Sequence, residues 1–197
     1  ASIELIIKQE ETEQQLESVS FDRYYRADGF RDVRIKLDGV SSEDDLRGVV
    51  LGMSALEYEI DDAGMLVLRR GTLAGLRAGT YTVSADLQAG GAIAFNLRVT
   101  DSTPAGTYAI VEEYNTFAPE EASFALPQGA NMVQSVTVTR NGTTTQLQAD
   151  TDFRTAAHTL TLTQTALEKF RQGGGLVEFD VTFSNGTAYT LVVDYIA

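Results

Sequence analysis

Residues 177–193 decide the fold: Val177-Glu178-Phe179-Asp180-Val181-Thr182-Phe183, then Ser184-Asn185-Gly186-Thr187, then Ala188-Tyr189-Thr190-Leu191-Val192-Val193. The first seven residues alternate apolar and polar without a break, which is the period of a half-buried β-strand. Asn-Gly is the dipeptide best suited to the positive φ angles of a tight hairpin turn. The strand pattern resumes at Tyr189. The same arrangement stands earlier in the chain, where Tyr81–Leu87 alternates, Gly90-Gly91 turns and Ile93–Val99 resumes. Further strands are read at Val33–Leu37, ending in the hairpin-type signal Asp38-Gly39, and at Val136–Arg140, ending in Asn141-Gly142. Period-2 runs with turn signals every 8–12 residues or so mark a sandwich or a barrel.

The two hairpins belong to an internal repeat. A shift of 94 aligns residues 66–99 with 160–193 without a gap, and ten of the 34 positions are identical, among them Leu66/Leu160, Leu73/Leu167, Gly79/Gly173, Val83/Val177, Asp86/Asp180 and Leu97/Leu191. A second alignment, at a shift of 103, pairs Ile7 with Ile110, Ser20 with Ser123 and Phe21 with Phe124. The change of shift makes the first copy nine residues longer, with the excess expected in Asp22–Asp45. Between strands, Leu73/Leu76 and Leu167/Phe170 sit at i, i+3 within Gly71–Ala78 and Thr165–Gln172, each followed by a glycine. One short helical turn per copy is predicted there. The fold class is therefore all-β: two immunoglobulin-like β-sandwich domains in tandem, covering 1–102 and 103–197. They are expected to meet end to end through a short linker at Asp101-Ser102-Thr103-Pro104-Ala105-Gly106.

The order of signals in the second copy is Asn141-Gly142-Thr143, Asp150-Thr151-Asp152-Phe153, the strand Thr159–Thr163, the turn Ala166–Phe170 and the hairpin at Ser184-Asn185-Gly186. It resembles the X2 module, an immunoglobulin-like domain found beside catalytic and carbohydrate-binding modules in bacterial cellulosomal and surface proteins. The first copy follows with Leu56–Ile60, Met65–Leu68, Leu73/Leu76 and Gly79, and its Ser20-Phe21-Asp22-Arg23 resembles the family's front strand. The resemblance implies an extracellular or cell-surface accessory role without catalysis, beside neighbouring domains of a larger protein. Some members of the family are proposed to bind polysaccharide or cell wall.

Charge and composition limit the partners. The formal net charge is −13, spread over both halves, and no basic run is present. Phosphate backbones need Lys or Arg to displace counterions, so nucleic acid is a poor partner. No apolar run is long enough for a transmembrane helix, so this segment is not expected to insert in a membrane. The absence of cysteine removes disulfides and thiolate metal sites.

The remaining chemistry is sparse. His158 is the only histidine and falls in a turn. A catalytic triad would need it beside a nucleophile and an orienting acid, so no catalytic residue is assigned. Glu43-Asp44-Asp45, Asp61-Asp62 and Glu120-Glu121 are acidic pairs of the type glycoside hydrolysis uses, but all are expected in solvated loops. Ser41–Asp45 could offer calcium some oxygen ligands, yet it lacks the spacing of a dedicated loop, and neither a metal nor a cofactor is assigned. Asp86 and Asp180 are expected to make a structural hydrogen bond or face solvent. With no Trp, the weak candidates for a ligand-binding face are Tyr24, Tyr25 and Phe30 in the non-repeated segment. Neighbouring tyrosines cannot both point inward on a strand. One should be exposed, or the pair should pack on the join between the copies, and packing or incidental exposure is the favoured reading.

Overall fold

The computed structural model describes residues 17–117, 120–171 and 175–196. Ile7, used in the front alignment, and Gly173, the expected glycine after the second helix, lie outside them. The fold is two β-sandwiches in tandem. In the first, β1 (Ser18–Asp22), β2 (Val33–Lys36), β3 (Leu46–Leu51), β4 (Ser54–Leu56), β5 (Glu59–Ile60) and β6 (Met65–Leu68) lead to helix α1 (Arg70–Ala74). The hairpin β7 (Gly79–Leu87) and β8 (Ala92–Thr100) follows. In the second, β9 (Ala109–Asn115), β10 (Ala122–Ala125), β11 (Val133–Arg140), β12 (Thr143–Gln146), β13 (Phe153–Ala156) and β14 (Thr159–Leu162) lead to α2 (Gln164–Phe170). The hairpin β15 (Gly175–Phe183) and β16 (Ala188–Ile196) follows.

The two topologies are the same. The large sheets run β1-β8-β7-β3-β4 and β9-β16-β15-β11-β12, and the small ones β2-β6-β5 and β10-β14-β13. The opening strand of each copy is parallel to the closing one, β1 to β8 and β9 to β16. Even an irregularity repeats: the register shifts between Leu46 and Gly48 on β3 and between Val133 and Ser135 on β11. Inward-facing positions fill two cores. One holds Phe21, Ile35, Leu66, Leu73, Phe95 and Leu97, the other Phe124, Leu160, Leu167, Phe179, Phe183 and Leu191. Burying each such side chain contributes about 1.5–3 kcal/mol.

A short helix forms in each copy, but α1 ends at Ala74, so Leu76 of the expected pair lies beyond it and is half-buried. Leu73, Leu167 and Phe170 are buried. The Thr163 hydroxyl accepts the Ala166 N–H at the start of α2, whereas Arg69 offers α1 no side-chain cap, and α1 is two residues shorter. The turn signals are mostly followed. Asn141 (φ 50°) and Gly142 (φ 76°) join β11 to β12 through the positive angles that Asn-Gly suits. Asp38-Gly39 does turn, but β2 pairs with β6 rather than with the next strand, so no hairpin forms there.

Strand register corrects both alignments. Through β6 and β14 and the starts of the helices the shift is 94. In the last hairpin it is 96: Val83 faces Phe95 as Phe179 faces Leu191. Likewise, the turns close from Leu87 N–H to Gly91 O and from Phe183 N–H to Thr187 O. The repeat is therefore not gapless, and two extra residues enter the second copy between the start of α2 and the start of β15. A slip of two residues leaves every side chain on its own face, so matches such as Val83/Val177 persist out of register. Asp86 and Asp180 are likewise not equivalent, although each accepts a hydroxyl hydrogen bond, from Ser84 and Thr190.

The front alignment fails for a different reason. Phe21 is on β1, opposite Val99, and its counterpart is Tyr114, opposite Tyr195. Phe124 is on β10, opposite Leu160, and its counterpart is Ile35, opposite Leu66. The excess in the first copy falls where expected but is six residues, not nine: 28 separate Phe21 from Val49 and 22 separate Tyr114 from Val136, where Val49 and Val136 hold equivalent places opposite Ala85 and Val181.

Candidate functional site: the junction between the modules

The copies do not meet end to end. One end of the first sandwich, made by α1 and the loop after β1, stands on the outer face of the second sandwich's large sheet. Register locates the difference that allows this. Across the outer face of the first copy run two rows, Ser18-Asn96-Thr82 and Ser20-Arg98-Thr80. The equivalent rows in the second copy are Val111-Val192-Glu178 and Glu113-Asp194-Leu176. The first set is polar. Val192 of the second is fully buried and belongs to the first module's core, with Ala109, Val111 and Leu176 packed against it.

Charged pairs ring this apolar contact. Asp194, 1% exposed, accepts two hydrogen bonds from Arg70, both 2.6 Å long. Asp32 accepts the Arg70 backbone N–H at 3.0 Å, and the Arg70 guanidinium lies 5.8 Å from the centre of the Phe30 ring. Arg26 donates to both carboxylate oxygens of Glu178, at 2.5 and 3.4 Å, and stacks over Tyr25 at 5.2 Å. The linker is tied on the same side. Asp101 pairs with Arg23 at 3.1 Å and accepts the Thr103 N–H at 3.1 Å, and Asp22 accepts the Ser102 N–H at 3.2 Å. Hydrogen bonds from Thr103 hold the Asp101 carboxyl below the usual aspartate value.

The three sequence candidates all fall at this end of the first module. Tyr25 and Phe30 are buried; Phe30 packs on Phe21 with ring centres 5.6 Å apart, and burial, then Glu178, pushes the Tyr25 hydroxyl up to about 12. Tyr24 is half-buried and meets Tyr25 edge to face at 5.5 Å. It borders a cleft of about 420 Å³ beside the junction, whose walls include Arg23, Asp101, Tyr108 and Glu112. Tyr108, 37% exposed, stacks on Tyr189 with ring centres 4.2 Å apart. Burial raises the Glu112 carboxyl above its usual value. Sequence reasoning missed Arg70, Glu113, Val192 and Asp194. The signal was present: in Leu191-Val192-Val193-Asp194-Tyr195 the alternation breaks, and all five residues are buried.

No family model matches the chain, and no curated protein matches it. Solved structures do. A tri-modular GH5 (subfamily 4) endo-β-1,4-glucanase from Bacillus licheniformis, complexed with cellotetraose, is 14% identical over 94% of this chain and 38% of its own (TM-score 0.36). The Bacteroides ovatus protein SGBP-B of a mixed-linkage glucan utilization locus, in complex with a mixed-linkage heptasaccharide, is 15% identical over 90% and 42% (TM-score 0.28). The N-terminal eight Ig domains of Down syndrome cell adhesion molecule are 13% identical over 92% and 29% (TM-score 0.30). The chain spans less than half the length of each of these three structures, and at these scores the likenesses carry no functional argument.

The other sequence candidates are not gathered at the junction. His158 is exposed in the turn between β13 and β14. Asp45 accepts the N–H groups of Ser41 and Ser42 at 2.8 and 2.9 Å, Asp61 accepts those of Ala63 and Met65 at 3.0 and 2.9 Å, and Glu121 pairs with Arg154. Among the described residues no group of three or more His, Asp and Glu is placed to hold a metal ion. What the junction can do is fix an angle: an apolar contact excludes water, and buried or bidentate ion pairs set its orientation.

Proposed function

We propose that the chain is a pair of structural modules without catalytic activity, divided between residues 102 and 103. The pair holds neighbouring parts of a larger extracellular or cell-surface protein at a fixed angle. The observation that carries this reading is Val192, an outward-facing residue of the second sandwich buried in the core of the first. A flexible spacer needs no such residue, and a free face would carry a polar one, as Asn96 does in the equivalent place. The resemblance to X2-type accessory modules supports the same role. The boundary is tested by expressing 1–102 and 103–197 separately. Both are expected to fold, the second with an exposed apolar patch at Leu176 and Val192; failure of both to fold would make the chain one interlocked unit.

A second reading, an accessory module that binds polysaccharide or cell wall, is favoured by the cleft. Tyr24 and Tyr108 offer aromatic surface beside the hydrogen-bonding groups of Asp101 and Glu112. Pull-down on insoluble polysaccharides and peptidoglycan tests it. Binding lost in Tyr108→Ala supports it, and no binding at millimolar site concentration leaves the structural role alone.

A further inference from the structure

We propose that the junction is a proton-operated clamp: uptake of one proton by Glu113 tightens the docking of the first module on the second. The inference rests on the fixed-angle reading above and adds a control to it. Glu113 stands on β9 directly opposite Asp194 on β16, so two carboxylates share one row of the docking face. The cations near them are already engaged. The Arg70 guanidinium is held by both oxygens of Asp194, and Arg69 pairs with Glu59 at 2.7 Å. From the first module Glu57 opposes the Glu113 charge, while Arg69 and the Thr72 N–H favour it without outweighing burial and Asp194; Asp32 adds a further negative charge beside Arg70. The Glu113 side chain lies against Gly71, where even a Cβ would come within 2.1 Å of its Cγ. Its Oε1 is buried with no hydrogen-bond partner.

A buried carboxylate oxygen without a donor, beside a second carboxylate, is stabilised by protonation. Burial, then Asp194, accordingly raises the Glu113 carboxyl above the ordinary value of 4.5. The sign follows from linkage. Undocked, Glu113 regains water and its ordinary value. The cost of docking its charge is absent below that value, grows as pH rises, and is complete above the raised value. Docking is therefore strongest near and below pH 4.5 and weakens as pH rises through the raised value.

Two measurements on the full chain test this. Carboxyl-carbon NMR is expected to show Glu113 titrating above 4.5; titration at or below 4.5 overturns the proposal. Urea unfolding of Glu113→Gln, the uncharged isostere, is expected to show a gain over the parent at pH 8 of about threefold or more in the folding equilibrium constant, because the variant no longer buries an unpartnered charge. The gain should shrink at pH 5. An equal or weaker variant at pH 8 also overturns it. If Glu113→Gln does not fold, the NMR titration alone decides. The fixed-angle reading survives either negative result, because Val192 and the Arg70–Asp194 pair do not depend on Glu113.

Discussion

Arg70 of the first sandwich holds Asp194 of the second through two hydrogen bonds of 2.6 Å, and Asp194 is almost wholly shielded from water. Removing one partner from a buried pair costs more than the pair contributes, because the other charge is left behind. Arg70→Ala is expected to destabilise the chain by about 2–3 kcal/mol, below the full cost of breaking a buried pair because the Arg70 side chain keeps contact with water. Arg70→Met combined with Asp194→Leu should recover much of that loss. Thermal unfolding of Arg70→Met, Asp194→Leu and the double variant measures the coupling directly.

Val192→Asn places in the second module the residue that the first carries at the equivalent point. Burying an amide without partners costs about 1–3 kcal/mol. Because the side chain points out of its own sandwich, the cost should fall on docking. Calorimetry is expected to resolve two transitions where the parent shows one, with the strand chemical shifts of both modules otherwise retained.

Gly71→Ala sets two effects against each other. Alanine favours a helix over glycine by about 1 kcal/mol, so α1 alone would gain. The new Cβ would lie 2.1–2.5 Å from three atoms of Glu113, and overpacking of this kind costs about 1–3 kcal/mol. The clash wins, and the variant should be less stable. Adding Glu113→Ala should reverse the sign, which a plain helix effect would not do.

The sandwiches were legible because strand alternation and turn dipeptides are local. Phe179, Val181 and Phe183 announce a buried face, and Asn141-Gly142 announces its turn. The register of the repeat was not legible, since a period of two cannot distinguish shifts of 94 and 96. Phe21 was matched to Phe124 on residue type, although the two occupy different sheets. The junction was the hardest part to read. Arg70 and Asp194 are 124 residues apart, and only Val111, Leu176 and Val192, apolar where alternation calls for polar residues, marked a second buried face. Tyr24, Tyr25 and Phe30 were singled out for being unrepeated, and that segment does supply part of the docking end.

Asp45 should shape the acid limb of the stability curve. The N–H groups of Ser41 and Ser42 hold its carboxyl below the ordinary value of 3.8. A depressed value means that its contribution is full above 3.8 and is lost as pH falls through the lower folded value. Asp45→Asn should therefore lose stability at neutral pH and flatten the decline below pH 4. Urea midpoints of both chains between pH 2 and 7 test this.

Backbone ¹⁵N relaxation on the full chain tests the fixed angle most directly. Both sandwiches are expected to tumble as one body, with a single rotational diffusion tensor fitting amides of β3 and β11 alike. Two independent correlation times, each near that of a single module of about 100 residues, would contradict the account.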